Sequence, residues 1–357
     1  SVRANAEQER ELINMTNYAP FDTRPNFEAT ESDISVALLT DHLNTTKSKL
    51  AKQIGKRGVM EVLGDMQLLV GPPEQLCISN AALMMFCEHL DKFFPYTQVE
   101  ITKFPEGSIK NPNNFIEVPV IKGSVPTMIK RTMEKLQDMV IEEKVTKVDY
   151  QMEAIRRYSY PYQALEEAVV NAFYHRDYQS YQAIIIEIEP DCVRIISYPG
   201  IDRSISQKTI AEGERFKSRY YRNKRLGEFL KELDLTEGKS TGIPTIQEEL
   251  RDNGSPKATF ETDDERRAVT VEIPIHPDFL MEQGEPQNEP QNEPQNATSV
   301  EDAILQLIRM NKYVTREEMA SQIEVSLSTV KRSINKLKTS GIIEYEGPSK
   351  GGYWSIK

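Results

Sequence analysis

Residues 285–296 repeat Glu-Pro-Gln-Asn three times without one apolar side chain. A proline at every fourth position rules out a helix, and the stretch has nothing to bury. A chain carrying such a segment cannot close around a single core. It reads as bodies joined by a semi-extended, mobile tether spanning about 30–40 Å. The net charge of −11 divides unevenly across it. Residues 300–357 hold nine Lys and Arg against seven Asp and Glu, a net of +2, so the acidity belongs to the rest of the chain. A nucleic-acid-binding surface is therefore sought only in the C-terminal body.

The remaining composition narrows the class. No run of 18 apolar residues is present, so no membrane span is expected. No leader-like segment opens the sequence. Cys77, Cys87 and Cys192 form no paired motif and read as small buried hydrophobes in a reducing cytoplasm. Four scattered histidines offer no zinc spacing. A P-loop is excluded because Leu233 stands where the glycine preceding Gly238-Lys239-Ser240 would have to be. A Gly-x-Ser-x-Gly nucleophile turn is also absent. His175-Arg176-Asp177 has the letters of a kinase catalytic loop, but no kinase glycine loop precedes it.

The stretch 161–178 carries the most chemistry. Leu165, Ala168, Val169, Ala172 and Phe173 recur at helical spacing and predict a core-facing stripe. Glu167 and Asn171 stand four apart on another face. A carboxylate and an amide oxygen so placed suit a metal-bound phosphate: one orients or activates water, the other holds Mg²⁺. The bland alternative is a solvated pair.

Around this helix the pattern predicts a mixed order. Helices are expected at 8–15, 33–43, 46–54, 59–63, 79–90 and 125–140, with a strand at 99–104. After 178 the period falls from 3.6 to 2. Strands at 183–189 and 192–196 would turn at Pro190-Asp191. A polar, mobile loop is expected over 203–225, then a helix at 226–235. The turn Gly238-Lys239-Ser240-Thr241-Gly242 leads into a helix at 243–253, and strands at 258–261 and 268–275 close the body.

This order, with Glu166-Glu167-Ala168-Val169-Val170-Asn171-Ala172, Ser197-Tyr198-Pro199-Gly200, Arg222-Asn223, residues 238–243 and Gly254-Ser255-Pro256, resembles the GHKL ATP-binding fold. Gyrase, Hsp90, histidine kinases and mismatch-repair proteins share that fold. More closely, it resembles the divergent GHKL domain of bacterial proteins with an N-terminal Schlafen/AlbA-type module, often labelled helicase-related proteins or transcriptional regulators. The resemblance implies an α+β fold, a Bergerat-type α/β sandwich. It further implies that Glu167 acts on the attacking water and that Asn171 ligates Mg²⁺. Gly200 would admit the adenine side. Ser240, Thr241 and Gly242 would offer peptide N–H groups to phosphate, and Arg222 and Lys239 would neutralise it. ATP and Mg²⁺ are the cofactors implied, with ATP or ADP as partner. This chain departs from most of the family in lacking an Asp at the first glycine turn. Residues 1–27 resemble the end of the Schlafen/AlbA-type module, so the chain is expected to be a fragment of a longer protein.

Residues 300–357 read as a winged helix-turn-helix. Helices are expected at 300–310, 316–323 and 327–339, with a capping box at Thr315-x-x-Glu318 and a wing over 342–356. The third helix would bury Val330, Ile334 and Leu337. It would present Ser326, Ser328, Thr329, Lys331, Arg332, Asn335, Lys336 and Lys338 to DNA, with Lys350 in the wing.

The expected division is a mixed region at 1–120, the ATP-binding domain at 121–280, the tether at 281–299 and the winged helix at 300–357. The leading reading is a cytoplasmic, homo-oligomeric DNA-binding transcriptional regulator that senses or binds ATP. The alternatives are a weak Mg²⁺-dependent ATPase acting on nucleic acid and a ligand-free scaffold for oligomerisation.

Overall fold

The structure, a computed structural model, describes residues 19–147, 154–211, 213, 221–236, 242–280, 300–323, 325, 327–339, 341–346 and 352–356. The helix expected at 8–15 and the tetrapeptide repeats lie outside these. The chain divides into two compact units, Ser1–Pro286 and Gln287–Lys357.

The first unit is built on a six-stranded mixed sheet. Its strands are β3 (Val99–Lys103), β4 (Ile116–Glu117), β7 (Ile184–Ile188), β8 (Cys192–Ser197), β9 (Thr259–Thr262) and β10 (Val269–Pro274), in the order β4-β3-β7-β8-β10-β9. Only β3 and β7 run parallel. Two small antiparallel ribbons accompany it, β1 (Leu69–Val70) with β2 (Cys77–Ile78) and β5 (Glu143–Thr146) with β6 (Ile155–Tyr158). Neither ribbon was legible as a periodic run.

Alternation sorts the sheet into two faces. Val99, Ile101, Ile184, Ile186, Ile188, Val193, Ile195 and Ile273 are buried in the core. The other face carries Glu187, Arg194 and Glu272, which the register aligns on neighbouring strands. Arg194 Nε donates to Glu272 at 2.8 Å, and its Nη1 reaches Glu189 at 3.2 Å. This charge ladder keeps the open face wet without disturbing the apolar one.

The helices of this unit are α1 (Val36–Thr45), α2 (Val59–Asp65), α3 (Asn80–Phe86), α4 (Val125–Val140), α5 (Tyr162–His175), α6 (Gln207–Ala211), α7 (Lys224–Glu232), α8 (Gly242–Asn253) and α9 (Pro277–Leu280). The stripe Leu165, Ala168, Val169, Ala172 and Phe173 of α5 is buried as its spacing predicts. So is Ile129, Met133, Leu136 and Val140 of α4. Helix α5 packs against α4, α8 and β8. One core runs from Ile34 to Phe279, so residues on both sides of position 120 share it.

Three local expectations are corrected. The segment expected as a helix at 46–54 forms a 3-10 turn, Lys49–Gln53. The helix expected at 79–90 ends at Phe86, where Cys87 turns extended. The loop expected at 203–225 contains α6 and ends in residues held firmly to α5. A side-chain amide supplied from far along the sequence leaves no periodic trace.

The second unit is a helix-turn-helix with a wing: α10 (Val300–Met310), α11 (Arg316–Ile323), α12 (Leu327–Thr339), β11 (Ile343–Glu346) and β12 (Tyr353–Ile356). Its core joins Ile304, Ile308, Val314, Met319, Val330, Ile334, Leu337, Ile343 and Trp354. The capping box forms: Glu318 accepts the Thr315 N–H at 2.8 Å, and Thr315 Oγ1 accepts the Glu318 N–H at 3.2 Å. Trp354 Nε1 donates to Val314 O at 3.1 Å, stitching the wing to the first turn. Among the described residues no helix is long and apolar enough to cross a membrane.

Burial gives the fold a pH signature. It lowers the pKa of His42 and His276, and it pushes His175, which also feels Arg222, down to about 4. Each imidazole binds its proton less readily folded than in an unfolded chain, where the value is about 6.5. The unfolded chain therefore takes up more protons between those values. The contribution is complete above about pH 6.5 and is lost as pH falls toward the folded value. The melting temperature should drop between pH 7.5 and pH 5, and His175→Asn should show a smaller acid loss than the parent.

Candidate functional site

Helix α5 begins after Pro161, and Glu167 and Asn171 lie one turn apart on its half-buried face. Asn171 Nδ2 donates to Glu167 Oε1 at 3.0 Å. That bond orients the amide and leaves Asn171 Oδ1 as an oxygen ligand. The neighbouring Glu166 is raised above the usual carboxylate range by burial, against the pull of the Tyr162 hydroxyl.

The start of α8 meets this pair. A Cβ placed on Gly242 would fall 2.5 Å from Asn171 Nδ2, 2.6 Å from Glu167 Oε1 and 3.1 Å from Asn171 Oδ1. Glycine there leaves room for these two side-chain ends against the α8 backbone, and any Cβ would make them shift. The first N–H groups of a helix have no partner within it. Pro244, third in α8, costs nothing there because its missing N–H falls among those unpaired donors. A carboxylate, an amide oxygen and a helix N-terminus thus converge.

The far end of α5 is held by Tyr221, Arg222 and Asn223. Tyr221 stacks on Tyr174 at 5.3 Å between ring centroids and lies 6.0 Å from the His175 ring. Arg222 Nη1 donates to His175 O at 3.4 Å. Asn223 Nδ2 donates to Tyr174 O at 3.0 Å and to Arg176 O at 2.8 Å. Arg222 therefore sits about one turn beyond Asn171 along the helix. The role of Asn223 is not readable from sequence, since its partners lie 47 and 49 positions away.

Gly200 is placed differently. A side chain there would overlap Thr262 and come 2.7 Å from Ala268 O. Its own N–H donates to Arg266 O at 2.9 Å. The close backbone approach that demands glycine is made by the β9–β10 turn of the same chain. Lys239, Ser240 and Thr241 lie outside the described residues. A cleft of about 470 Å³ is lined by His42, Arg225, Phe229 and Glu232 among others, and none of the candidate nucleotide residues lines it. Among the described residues no cluster of three His, Cys, Asp or Glu could hold a metal by itself.

In the C-terminal unit, α12 buries Val330, Ile334 and Leu337 and exposes Thr329, Lys331, Arg332, Lys336 and Lys338. Ser326 and Lys350, and the side chains of Ser328 and Asn335, lie outside the described residues. The exposed face is cationic, as a groove-reading helix requires.

Comparison with known proteins agrees with this layout. Residues 182–272 match the family described as "Putative ATP-dependent DNA helicase recG C-terminal". Residues 300–353 match the family described as "HTH domain". The first match begins after α5, so Glu167 and Asn171 stand outside it. No curated protein matches the chain. Among solved structures, the DIP2311 protein from Corynebacterium diphtheriae aligns over all of this chain and 68% of its own, with 16% identity and a TM-score of 0.54. At that identity the likeness is one of fold. The chain therefore has an ATPase-type domain followed by a helix-turn-helix domain.

The packing at Gly242 makes a direct prediction. Gly242→Ala should displace the Glu167 and Asn171 side-chain ends and lower stability by about 1 kcal/mol, the low end for overpacking, because the atoms that must move are side-chain termini. The change would be read as a lower urea midpoint with an unaltered slope.

Proposed function

We propose that this protein is a DNA-binding transcriptional regulator whose GHKL-like domain takes ATP with Mg²⁺. The observation that carries the nucleotide half is the convergence of Glu167, Asn171 and the first turn of α8 around Gly242. The donor set suits the ligand in kind. Mg²⁺ takes hard oxygen ligands and is commonly held by one or two protein oxygens plus substrate phosphates. Asn171 Oδ1 is such an oxygen, and unpaired N–H groups at a helix start receive phosphate.

When bound, the metal would draw charge from the phosphate oxygens. The protein's own part is distinct. Asn171 presents its amide oxygen in an orientation set by Glu167. Glu167 would accept a proton from water. Arg222, with Lys239, Ser240 and Thr241, would add positive charge and donors around the phosphates. Residue 200 would border the base. Resemblance to Schlafen/AlbA-linked regulators supports a regulatory role, and a cytoplasmic homo-oligomer is part of the same proposal.

A second reading is favoured by the tightness of the same contact. Glu167 is an anion at the N-terminus of α8, where the helix dipole favours negative charge. The pair then serves to lock two helices, and the domain is a scaffold.

Thermal shift separates these readings. With ATP and Mg²⁺ at about 100 times the dissociation constant, ligand binding should stabilise the protein by about 2.7 kcal/mol. Asn171→Ala should lose the shift, while Glu167→Ala, which removes the bond that orients the Asn171 amide, should keep a reduced shift and lose any turnover. A wild-type protein unmoved by ATP, ADP or Mg²⁺ leaves the scaffold.

The DNA half rests on the exposed cations of α12. Arg332→Ala with Lys336→Ala should weaken binding and reduce the salt dependence by about two ions. Fluorescence anisotropy over a salt series would read this, and unchanged affinity would refute the assignment.

A further inference from the structure

We infer that Asn223 is a positioning residue for the Glu167–Asn171 pair, an inference that rests on the nucleotide reading above. The last four carbonyls of a helix have no partner within it, and an unsupported last turn frays. In α5 that turn begins just after Asn171. Its end is closed by a side chain from another segment: both N–H bonds of the Asn223 amide are used, one on Tyr174 O and one on Arg176 O. Asn223 is only 1% exposed, so water cannot replace it.

Asn223 is itself held in place. Its backbone carbonyl accepts the Gly227 N–H at 3.0 Å in the first turn of α7. The next N–H groups of that turn, Arg225 and Leu226, donate to Asp22 Oδ2 at 2.6 and 3.0 Å. Asp22 is fully buried and lies about 200 residues away in sequence. The Tyr174 ring rests on Gly227, where any Cβ would overlap it. A contiguous set of contacts thus runs from Asp22 through the start of α7 to the end of α5. If the end of α5 loosens, the amide of Asn171 loses its fixed position, whereas Glu167, a turn earlier, keeps helical support.

The chemistry of the clamp selects the test. Asn223→Asp has the same shape but no donors, and it sets a carboxylate against two carbonyl oxygens. Asn223→Ser returns one donor. Leu39→Ala, in the core of α1, supplies a destabilised control whose change lies outside the clamp. ATP·Mg²⁺ affinity would be measured by calorimetry at a temperature where circular dichroism shows every variant folded. Amide exchange would be followed over residues 172–178.

Asn223→Asp should weaken ATP·Mg²⁺ at least tenfold and speed exchange in that segment. Asn223→Ser should fall between it and the parent, and Leu39→Ala should do neither. Parent-like affinity in Asn223→Asp, or unchanged exchange at 172–178, overturns the inference. Equal weakening in Leu39→Ala assigns the effect to global stability and also overturns it. If Asn223→Asp does not fold, the Asn223→Ser result decides by the same criteria. A wild-type protein that binds no ATP·Mg²⁺ refutes the nucleotide reading first, and the inference with it.

Discussion

Helix α5 lays side chains directly on the glycine backbone of two neighbouring helices. Gly227 of α7 lies against the Tyr174 ring, and Gly242 of α8 lies against Glu167 and Asn171. A Cβ at Gly227 would overlap a buried ring, and one at Gly242 would displace two side-chain ends. Together they fix the rotation and height of α5 over the sheet while its apolar stripe faces the core. Close packing makes the Gly227 contact the stricter of the two, because a buried ring has little room to move aside. The converging groups at the start of α8 are a consequence of that geometry.

Polar ties complete what packing begins, and they are made over long sequence distances. Asp22 caps α7, and Arg225 Nη2 in the same turn reaches Met66 O at 2.7 Å. These ties carry costs. Asp22 Oδ1 is buried with no partner, and burial raises the pKa of its carboxyl. Arg176 is 1% exposed, with Nε and Nη1 unpaired, and only its Nη2 finds Tyr96 O at 3.0 Å. The Tyr178 ring, 5.7 Å from its guanidinium, offsets part of that burial, worth about 2 kcal/mol for a desolvated cation. Such a charge persists because the elements around it are over-determined by the core.

Much of the fold was readable before any coordinates. Helices α4, α8 and all three helices of the C-terminal unit fall within a residue or two of their periodic patterns, and α5 ends three residues before the end of the 161–178 stretch. The hairpin of β7 and β8 turns at Pro190-Asp191, as the change of period implied. What escaped was short or non-periodic: the ribbons β1–β2 and β5–β6, the two-residue strand β4, and α6 inside an expected loop. Two-residue strands have no period to detect. The candidate site was legible in part. The spacing of Glu167 and Asn171 placed them on one helical face, but nothing in that spacing tells a solvated pair from one covered by another helix.

The sequence by itself determined the separation into two bodies, the periodic elements within each, the cationic face of α12 and the shared face of Glu167 and Asn171. All of these follow from local rules: proline spacing, side-chain periodicity, capping chemistry and charge distribution. Only the tertiary structure decided that Gly242 comes to rest on that pair, that the backbone of Gly200 lies against the β9–β10 hairpin, and that Asn223 and Asp22 hold α5 and α7. Those outcomes depend on which surfaces meet. Meeting surfaces are set by the volume and hydrogen-bonding balance of the whole core, which no local stretch of residues contains.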